Sequence, residues 1–463
     1  MKAKPISLSV SKHIDVNFRN YALYVLENRG IPAFDDALTN VQRFILMNAP
    51  HHFNKTISLV GACISGGYHH GDMALTGAIN KLARPYGNSI SLLEGDGFFG
   101  TPVDNTASAA RYTSIKINSK ISEIIKKSHF LNKKNENDSW DPLWVDLPIG
   151  LTTMIVGIAV GYKTTILPRK LEDIQKYLDG KVKEVKPHFQ GFTGKITRYQ
   201  GLDKSWLISG SVEINEQAKT IKVTDLPPLM KYTNFLKKIN QFTEDLPNCT
   251  ITNNSSKKVE IVFKHKGTIP EWEDLKIKVD KATKLLITET LVFVKDGVVI
   301  NYNRVEDYID DYKYRIASLN VERLRYYLKV DTEELEFQKC KNAYLKYMIS
   351  SKSMRQQTEI DEFIDTLTSN DTIRRRLNSI LLKTMSEDEY NKTIKNITEL
   401  EKSIIQQKEE LKNAELAFQN MVDGSIVRST QNQKNLFNSL LSSDEPTEID
   451  GIEYYAIDDA QDE

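Results

Sequence analysis

The sequence has few cysteines, no long apolar run and no net charge, and each of these absences excludes a class of protein. Its 463 residues include three cysteines, Cys63, Cys249 and Cys340, whose wide spacing matches neither a disulfide framework nor a paired-cysteine metal site. No apolar run reaches the roughly 18–20 residues that span a bilayer, and the N-terminus lacks the apolar core of a signal peptide. We therefore expect a soluble, cytoplasmic protein with reduced thiols and no membrane partner.

The zero net charge excludes a uniformly basic coat for nucleic acid, since Lys plus Arg and Asp plus Glu both number 62. The charge is nevertheless unevenly distributed along the chain. Residues 442–463 hold nine acidic side chains and no Lys or Arg, which leaves 62 basic against 53 acidic side chains elsewhere. A cationic body with an acidic tail is compatible with a polyanionic partner.

The pattern along the chain predicts an α+β multidomain protein. Helix-period segments in residues 1–150 precede short strands around a glycine cluster, which is typical of a winged-helix module. Asp35 and Asp36 predict the start of the second of these helices, because acidic residues are favoured in a first turn. A glycine-punctuated loop from Gly61 is expected to lead into a helix that ends at Pro85.

The rest of the chain divides into a β-rich part and a helical part. Residues 151–320 alternate between apolar and polar side chains and include a basic stretch, residues 163–204, with ten Lys or Arg against five Asp or Glu. From 321 to 423 an a/d heptad pattern predicts a long antiparallel coiled coil with a helical tip at about 350–393, although an ordinary helical bundle remains an alternative. Residues 424–463 are predicted to be a flexible acidic tail.

The most informative segment is residues 61–116, because several motifs occur there in a fixed order. These motifs, with others before and after the segment, are His70-Gly71-Asp72, Ala83-Arg84-Pro85, Gly97-Phe98-Phe99-Gly100, Ala109-Ala110-Arg111-Tyr112-Thr113, Arg29-Gly30-Ile31-Pro32, Val41-Gln42-Arg43, Val156-Gly157-Ile158-Ala159-Val160-Gly161 and Pro187-His188-Phe189-Gln190-Gly191-Phe192. Taken together, they resemble the breakage–reunion module of type IIA DNA topoisomerases, the gyrase A-like family.

The resemblance implies both a fold and an activity. The expected fold has a winged-helix domain that carries the reactive tyrosine, a β-rich tower domain, and a coiled coil whose tip forms a dimer contact. The expected activity is DNA cleavage and religation as a subunit of an ATP-dependent type IIA topoisomerase, through 5′-phosphotyrosine links to both strands. The chain length resembles most the medium subunits of phage-encoded multi-subunit topoisomerases.

The chemistry of four residues agrees with this activity. A tyrosine can attack a phosphodiester and conserve the bond energy as a phosphotyrosine ester, so the break reseals without further energy input. The family resemblance assigns Tyr112 as the nucleophile, with Arg111, Arg29 and His70 as stabilisers of the transition state. Arginine and histidine are suited to this role because their N–H groups donate to phosphate oxygens.

Four further residues are expected to bind DNA rather than to react with it. Ile158 would be an apolar wedge between base steps that bends the duplex, although core packing is the alternative for an isoleucine in this sequence context. Arg43 would make a supporting phosphate contact. Arg84 and Lys163 are the other candidates, from the Ala-Arg-Pro motif and the start of the basic stretch.

A magnesium site is not expected in this chain. Glu94-Gly95-Asp96 and the triplet Asp307, Asp310 and Asp311 are similar to the acidic motifs of a Toprim domain, but they lie over 200 residues apart without alternating strands and helices. We therefore expect Mg²⁺ and ATP to be held by a partner subunit with Toprim and ATPase domains. The other expected partners are double-stranded DNA and a second copy of this chain.

Two alternatives from other functional classes remain open at this point. One is a non-enzymatic winged-helix and coiled-coil protein that bridges DNA with the same basic surfaces. The other is a metal hydrolase that uses His51-His52 and His69-His70, which lacks acidic ligands at a convincing spacing. Covalent trapping of DNA distinguishes the first alternative, because only the topoisomerase forms a protein–DNA adduct.

Overall fold

The computed structural model describes residues 10, 13–134, 140–244, 246, 248–350, 356–380 and 386–440, with the backbone alone from 423 onward. The described residues form two compact units, one up to Lys313 and the other from Tyr314. Within this part of the chain, no helix is both long enough and apolar enough to cross a bilayer.

Helices and strands are interspersed along the chain, which makes this a mixed α and β protein. The helices are α1 (Arg19–Val25), α2 (Asn40–Asn48), α3 (Thr56–Ser65), α4 (Asp72–Ala83), α5 (Ser119–Lys126), α6 (Leu171–Leu178), α7 (Tyr232–Glu244), α8 (Ile269–Ala282), α9 (Val305–Ile349), α10 (Gln357–Leu367), α11 (Asp371–Asn378) and α12 (Glu387–Leu440). The strands are β1 (Asn54–Lys55), β2 (Leu93–Asp96), β3 (Ser114–Ile117), β4 (Ile155–Ala159), β5 (Tyr162–Ile166), β6 (Lys195–Arg198), β7 (Ser205–Ser209), β8 (Ser211–Asn215), β9 (Thr220–Asp225), β10 (Cys249–Asn253), β11 (Ile261–His265), β12 (Lys284–Thr288), β13 (Leu291–Lys295) and β14 (Val298–Tyr302). Shorter π-helical turns lie at His13–Phe18 and Leu26–Gly30, and 3₁₀ turns at His129–Leu131 and Ile149–Thr152.

The strands pair antiparallel in small sheets of the first unit. Their orders are β1-β3-β2, β10-β11-β9-β8, β12-β7-β6, β13-β14 and β4-β5. Helices α2 to α5 bury one apolar core against the first sheet, with Ile79 and Ile115 at its centre. A second core lies where α7 and α8 pack on β9 and β11, around Phe235 and Phe263. The mixed helix and strand content of the α+β prediction is confirmed.

The second helix of the N-terminal part begins later than predicted. It starts at Asn40, because Thr39 and Gln42 form a capping box in which the Thr39 backbone N–H donates to the Gln42 side chain at 2.9 Å. Asp36 lies in the preceding turn and is fully buried. The predicted start at Asp35 and Asp36 was therefore wrong, and the carboxylate of Asp36 is used elsewhere.

Four further features differ from the sequence predictions. Gly61 lies inside α3 rather than in a loop, and three helices, α6, α7 and α8, interrupt the part predicted to be β-rich. Helix α9 begins at Val305, before the boundary predicted at 321, and α12 runs past Asp423 to Leu440. The acidic end of the predicted tail, residues 441–463, lies outside the described residues.

In the second unit α9 and α12 run antiparallel to each other. Arg325 pairs with Glu415 at 2.8 Å near one end, and Lys341 pairs with Glu389 at 2.6 Å near the other. The side chains at the a/d positions of α12, such as Ile404, are buried or half-buried. Helices α10 and α11 form their own small core against α9. Residues 351–355 and 381–385 of the predicted dimer tip lie outside the described part.

Candidate active site

Hydrogen bonds to the start of α3 hold the backbone of the loop that carries Tyr112. The Thr56 N–H donates to the Thr113 carbonyl at 3.0 Å, and the Ile57 N–H donates to the Ala110 carbonyl at 3.2 Å. The hydroxyls of Thr56 and Thr113, both fully buried, are hydrogen-bonded at 2.8 Å. The loop backbone is thus held rigidly while the Tyr112 side chain is 70% exposed. A nucleophile presented to a large substrate needs this combination of fixed backbone and open side chain.

Arg111 places a cation directly beside the phenol. Its guanidinium carbon lies 5.2 Å from the centroid of the Tyr112 ring, and its side chain is exposed. A phosphate that approaches the Tyr112 oxygen would meet guanidinium N–H donors at the same place. The two adjacent residues can therefore supply both the attacking group and part of the charge stabilisation for a phosphoryl transfer.

Arg29 and His70 form a second pair, from two separate elements. Arg29 lies at the end of a π-helical turn, and His70 precedes Gly71, the N-cap residue of α4. The Arg29 guanidinium lies 3.1 Å from Nδ1 of His70, and the His70 ring packs edge-on against Tyr68. Burial, and then the charge of Arg29, lower the pKa of His70. The ring is therefore neutral at physiological pH, and Nδ1 can accept the hydrogen bond.

The structure does not bring all four predicted residues into one contact network. Among the described residues, no hydrogen bond, ion pair or ring contact joins the Arg29–His70 pair to the Arg111–Tyr112 pair. Within each pair, however, the two side chains lie in contact, Arg29 with His70 and Arg111 with the Tyr112 ring. A common substrate would have to bring the two pairs together.

Ile158 is presented outward by a two-stranded hairpin. Strands β4 and β5 pair with Ile158 opposite Lys163, and the Ile158 side chain is 54% exposed. This exposure excludes the alternative that Ile158 is a core residue of the isolated chain. Lys163 is exposed as well. Their predicted contacts with DNA stay predictions.

The hairpin is locked against the segment that carries Arg29. A Cβ built on Gly157 overlaps the carbonyl oxygen of Gly30, and a Cβ built on Gly30 lies 2.5 Å from the carbonyl oxygen of Ile158. Only glycine permits this close approach of two backbones. Both glycines lie within quoted sequence motifs, but nothing in those motifs indicates that they touch. Their contact fixes Ile158 relative to Arg29.

Arg43 does not reach a surface where it could bind phosphate. Its side chain is buried, and its guanidinium binds both carboxylate oxygens of Asp36, at 2.7 and 3.1 Å. A third bond goes to the carbonyl of Leu38, and Asp36 also accepts from the N–H of Leu143. The predicted phosphate contact of Arg43 is corrected here to a structural ion pair, which accounts for the buried Asp36.

Arg84 is half-buried rather than open to solvent. Its guanidinium lies 5.0 Å from the centroid of the Tyr86 ring, and burial lowers its pKa from the ordinary value of arginine. Its Nε is buried without a hydrogen-bond partner. The surroundings of Arg84 therefore favour packing, and its predicted contact with DNA stays a prediction.

Acidic side chains of the two Toprim-like motifs contact other residues of the chain. Glu94 pairs with Lys116 across β2 and β3 at 2.9 Å. Asp310 and Asp311 accept hydrogen bonds from Tyr177 and Tyr302. Over the part of the chain that the structure describes, no group of three or more His, Cys, Asp or Glu side chains could hold a metal ion. Among the described residues, the acidic and histidine side chains therefore do not fit a Mg²⁺ site.

Comparisons with known proteins agree with the architecture and with the motifs. A family model for the A-type subunits of DNA gyrase and topoisomerase IV matches residues 29–425. The DNA topoisomerase medium subunit of Enterobacteria phage T4 is 29% identical over 241 residues, which cover 49% of this chain and 53% of that protein. The A-type DNA gyrase subunit of Mycoplasma genitalium is 26% identical over 348 residues, which cover 66% of this chain and 41% of that protein. The chain thus spans about half or less of the length of these relatives.

A solved structure shows the same fold. The topoisomerase II DNA-binding, cleavage and re-ligation domain of Plasmodium falciparum matches 94% of this chain and 66% of that chain, with a TM-score of 0.73. The sequence identity of the two chains is 18%, so this likeness concerns the fold alone.

Proposed function

Because the chain belongs to the family of A-type subunits of DNA gyrase and topoisomerase IV, we propose that it cleaves and rejoins duplex DNA as a subunit of an ATP-dependent type IIA topoisomerase. The observation that carries this proposal is the exposed Tyr112 beside Arg111 on a loop with a fixed backbone. The Tyr112 oxygen would attack a backbone phosphorus and form a phosphotyrosine bond to the 5′ phosphate. The 3′ oxygen of the broken strand leaves as a hydroxyl, with the proton that the phenol gives up. The reverse reaction reseals the strand.

The two residue pairs have complementary roles in this reaction. Arg111 would stabilise the charge that develops on the phosphate oxygens during attack. Arg29 would donate to the same phosphate, and neutral His70 holds its guanidinium through the bond at 3.1 Å. A phosphate of bound DNA is the element that would join these two pairs, which do not touch each other in the chain alone.

A break in both strands requires two tyrosines, and each chain supplies one Tyr112. We therefore assign a two-fold dimer as the active form, because it presents two identical sites. In finer detail, residues 1–150 would be the winged-helix domain and 151–320 the tower domain. The α9–α12 pair would be the coiled coil whose tip, at about 350–393, forms the dimer contact. A second contact would join the winged-helix domains.

We propose that a partner subunit with Toprim and ATPase domains holds Mg²⁺ and ATP, as the family resemblance implies. When bound, the metal would supply additional charge stabilisation at the phosphate. The expected location of the complex is the cytoplasm of the host cell.

Covalent trapping tests this proposal against the DNA-bridging alternative. The chain, its partner subunits, Mg²⁺ and labelled duplex would be mixed and then denatured with detergent. We expect a protein–DNA adduct with the wild type and with Tyr21→Phe, which alters a tyrosine that is 55% exposed. Tyr112→Phe should yield no adduct but still bind DNA, because many phosphate contacts carry the affinity. DNA binding without any adduct from the wild type would favour the bridging protein.

A further inference from the structure

The hairpin β4–β5 exposes a second apolar side chain that the proposed reaction does not yet use. Val156 is 42% exposed, whereas its neighbours Ile155 and Gly157 are buried. Alternate residues of a strand point to the same side, so Val156 lies on the same outward face as Ile158. Single exposed apolar side chains are common on protein surfaces. Val156 and Ile158, however, form an exposed apolar pair on one face of β4.

Contacts on the opposite face of the hairpin hold β4 and β5 in place. The Thr164 hydroxyl on β5 shares its one hydrogen between the carbonyls of Thr290 and Val292, which lie 3.0 and 3.2 Å from its oxygen. Strand β4 also packs closely on the backbone of Gly30, since a Cβ built on Gly157 would overlap the Gly30 carbonyl oxygen. The positions of Val156 and Ile158 relative to each other are therefore set by the fold before any ligand binds.

The spacing of the two side chains matches the spacing of DNA base pairs. Two residues along a strand are about 6.7 Å apart, and two base-pair steps span about 6.8 Å. If Ile158 enters a base step from the minor groove and β4 runs along that groove, Val156 faces the groove about two base pairs away. Lys163, directly across from Ile158, is exposed and can reach a flanking phosphate.

An apolar side chain in the minor groove discriminates between base pairs. A G·C pair presents the amino group of guanine there, whereas A·T pairs present only acceptors. Pressing a valine against that amino group removes its hydrogen bond to water and offers no acceptor in return. Val156 would therefore disfavour G·C and tolerate A·T.

Building on the proposed function, we propose that Val156 is a specificity-determining residue that contacts the minor groove two base pairs from the Ile158 wedge. There it selects A·T over G·C by about three- to tenfold among cleaved sites, which is the factor expected for one unpaired amino group. The substitutions Val156→Ala and Val156→Asn should remove this preference. The asparagine variant is expected to show the larger change, because its amide oxygen accepts a hydrogen bond from guanine.

The test is to sequence the sites cleaved in a duplex library by the complete enzyme with its partner subunits. The position at which Ile158→Ala alters the profile locates the wedge step. We expect an A·T preference two base pairs from that step in the wild type, its loss in Val156→Ala, and its reversal or loss in Val156→Asn.

Val298→Ala is the matched control, since Val298 on β14 is also an exposed valine of the first unit, at 61%. Its profile should equal that of the wild type. The inference is overturned if both Val156 variants keep the wild-type profile, or if Val298→Ala shifts it equally. A change in partner binding with an unchanged profile would overturn it too, in favour of a protein contact. Absence of a Tyr112-dependent adduct would instead overturn the proposed function, and this inference with it.

Discussion

Arg29 donates a hydrogen bond from its guanidinium to Nδ1 of His70 at 3.1 Å, although 41 positions separate the two residues in the sequence. The bond requires a His70 ring that carries no proton on Nδ1. The bond orients the Arg29 guanidinium. Among the ion pairs of the described residues, none joins Arg29 to a carboxylate. A cation held by a neutral partner keeps its full charge for a phosphate.

The pKa of His70 should therefore lie below the ordinary value of histidine. A histidine ordinarily has a pKa of about 6.5, and burial together with Arg29 lowers the pKa of His70. Because the unfolded chain binds this proton at higher pH than the folded chain, the folded state loses stability as the pH falls below about 6.5. An NMR titration of the His70 ring should give a midpoint below 6.5, and Arg29→Ala should raise it. Midpoints at or above 6.5 in both proteins would contradict this geometry.

Arg111→Ala should slow the cleavage step by about 10²–10³-fold, which is the usual loss on removal of one preorganised donor from a transition state. DNA affinity should change much less, because many cationic side chains contribute to it. Single-turnover cleavage with the partner subunits present measures the step directly. Arg325→Ala, on the α9 surface of the second unit, is the control and should leave the rate unchanged. An unaltered rate for Arg111→Ala would remove this residue from the site.

Arg43→Ala tests the corrected role of Arg43. Removing one partner of a buried ion pair leaves Asp36 with an uncompensated charge, which costs about 3–5 kcal/mol in the free energy of unfolding. Urea denaturation measures that loss. Lys120→Ala, which breaks the exposed pair with Glu172, should cost less than about 1 kcal/mol. If Arg43→Ala folds as stably as the wild type but loses DNA affinity, Arg43 is a phosphate contact after all.

Gly157→Ala should disturb the hairpin and the Arg29 segment together. The added methyl group overlaps the Gly30 carbonyl, and overpacking of this kind typically costs about 1–3 kcal/mol. We expect a lower melting temperature and slower cleavage. Gly77→Ala, in the open middle of α4, should instead raise stability by about 0.5–1 kcal/mol. Equal melting temperatures for Gly157→Ala and the wild type would show that the two backbones are farther apart.

The sequence predicted the parts of the site that are local and missed the parts that depend on packing. Tyr112 and Arg111 are adjacent, so their proximity followed from the motif alone. The buried pair of Arg43 and Asp36 did not, because a charged side chain carries no sequence signal of burial. The contact between Gly30 and Gly157 is non-local and has no periodicity to reveal it.

The fold shows the same division between local and non-local features. The alternation of apolar and polar residues predicted strands such as β9 well, because half-buried strands have a period of two. Helix α8 was missed although its start carries a capping box, Thr268 with Glu271, and Pro270 in the first turn. A capping box followed by a first-turn proline predicts the start of a helix, so α8 was predictable from the sequence. The capping box of α2 at Thr39 also predicts the correct start of that helix, whereas Asp35 and Asp36 indicate a start that is too early.

The most direct test of a phosphotyrosine intermediate is to identify the atom that holds the DNA. The trapped adduct would be digested with nuclease and protease, and the remaining peptide–nucleotide would be sequenced by mass spectrometry. We predict one modified peptide, with a nucleotide joined through its 5′ phosphate to the Tyr112 oxygen. A nucleotide on any other side chain, or a link to Tyr112 through a 3′ phosphate, would contradict the proposed reaction.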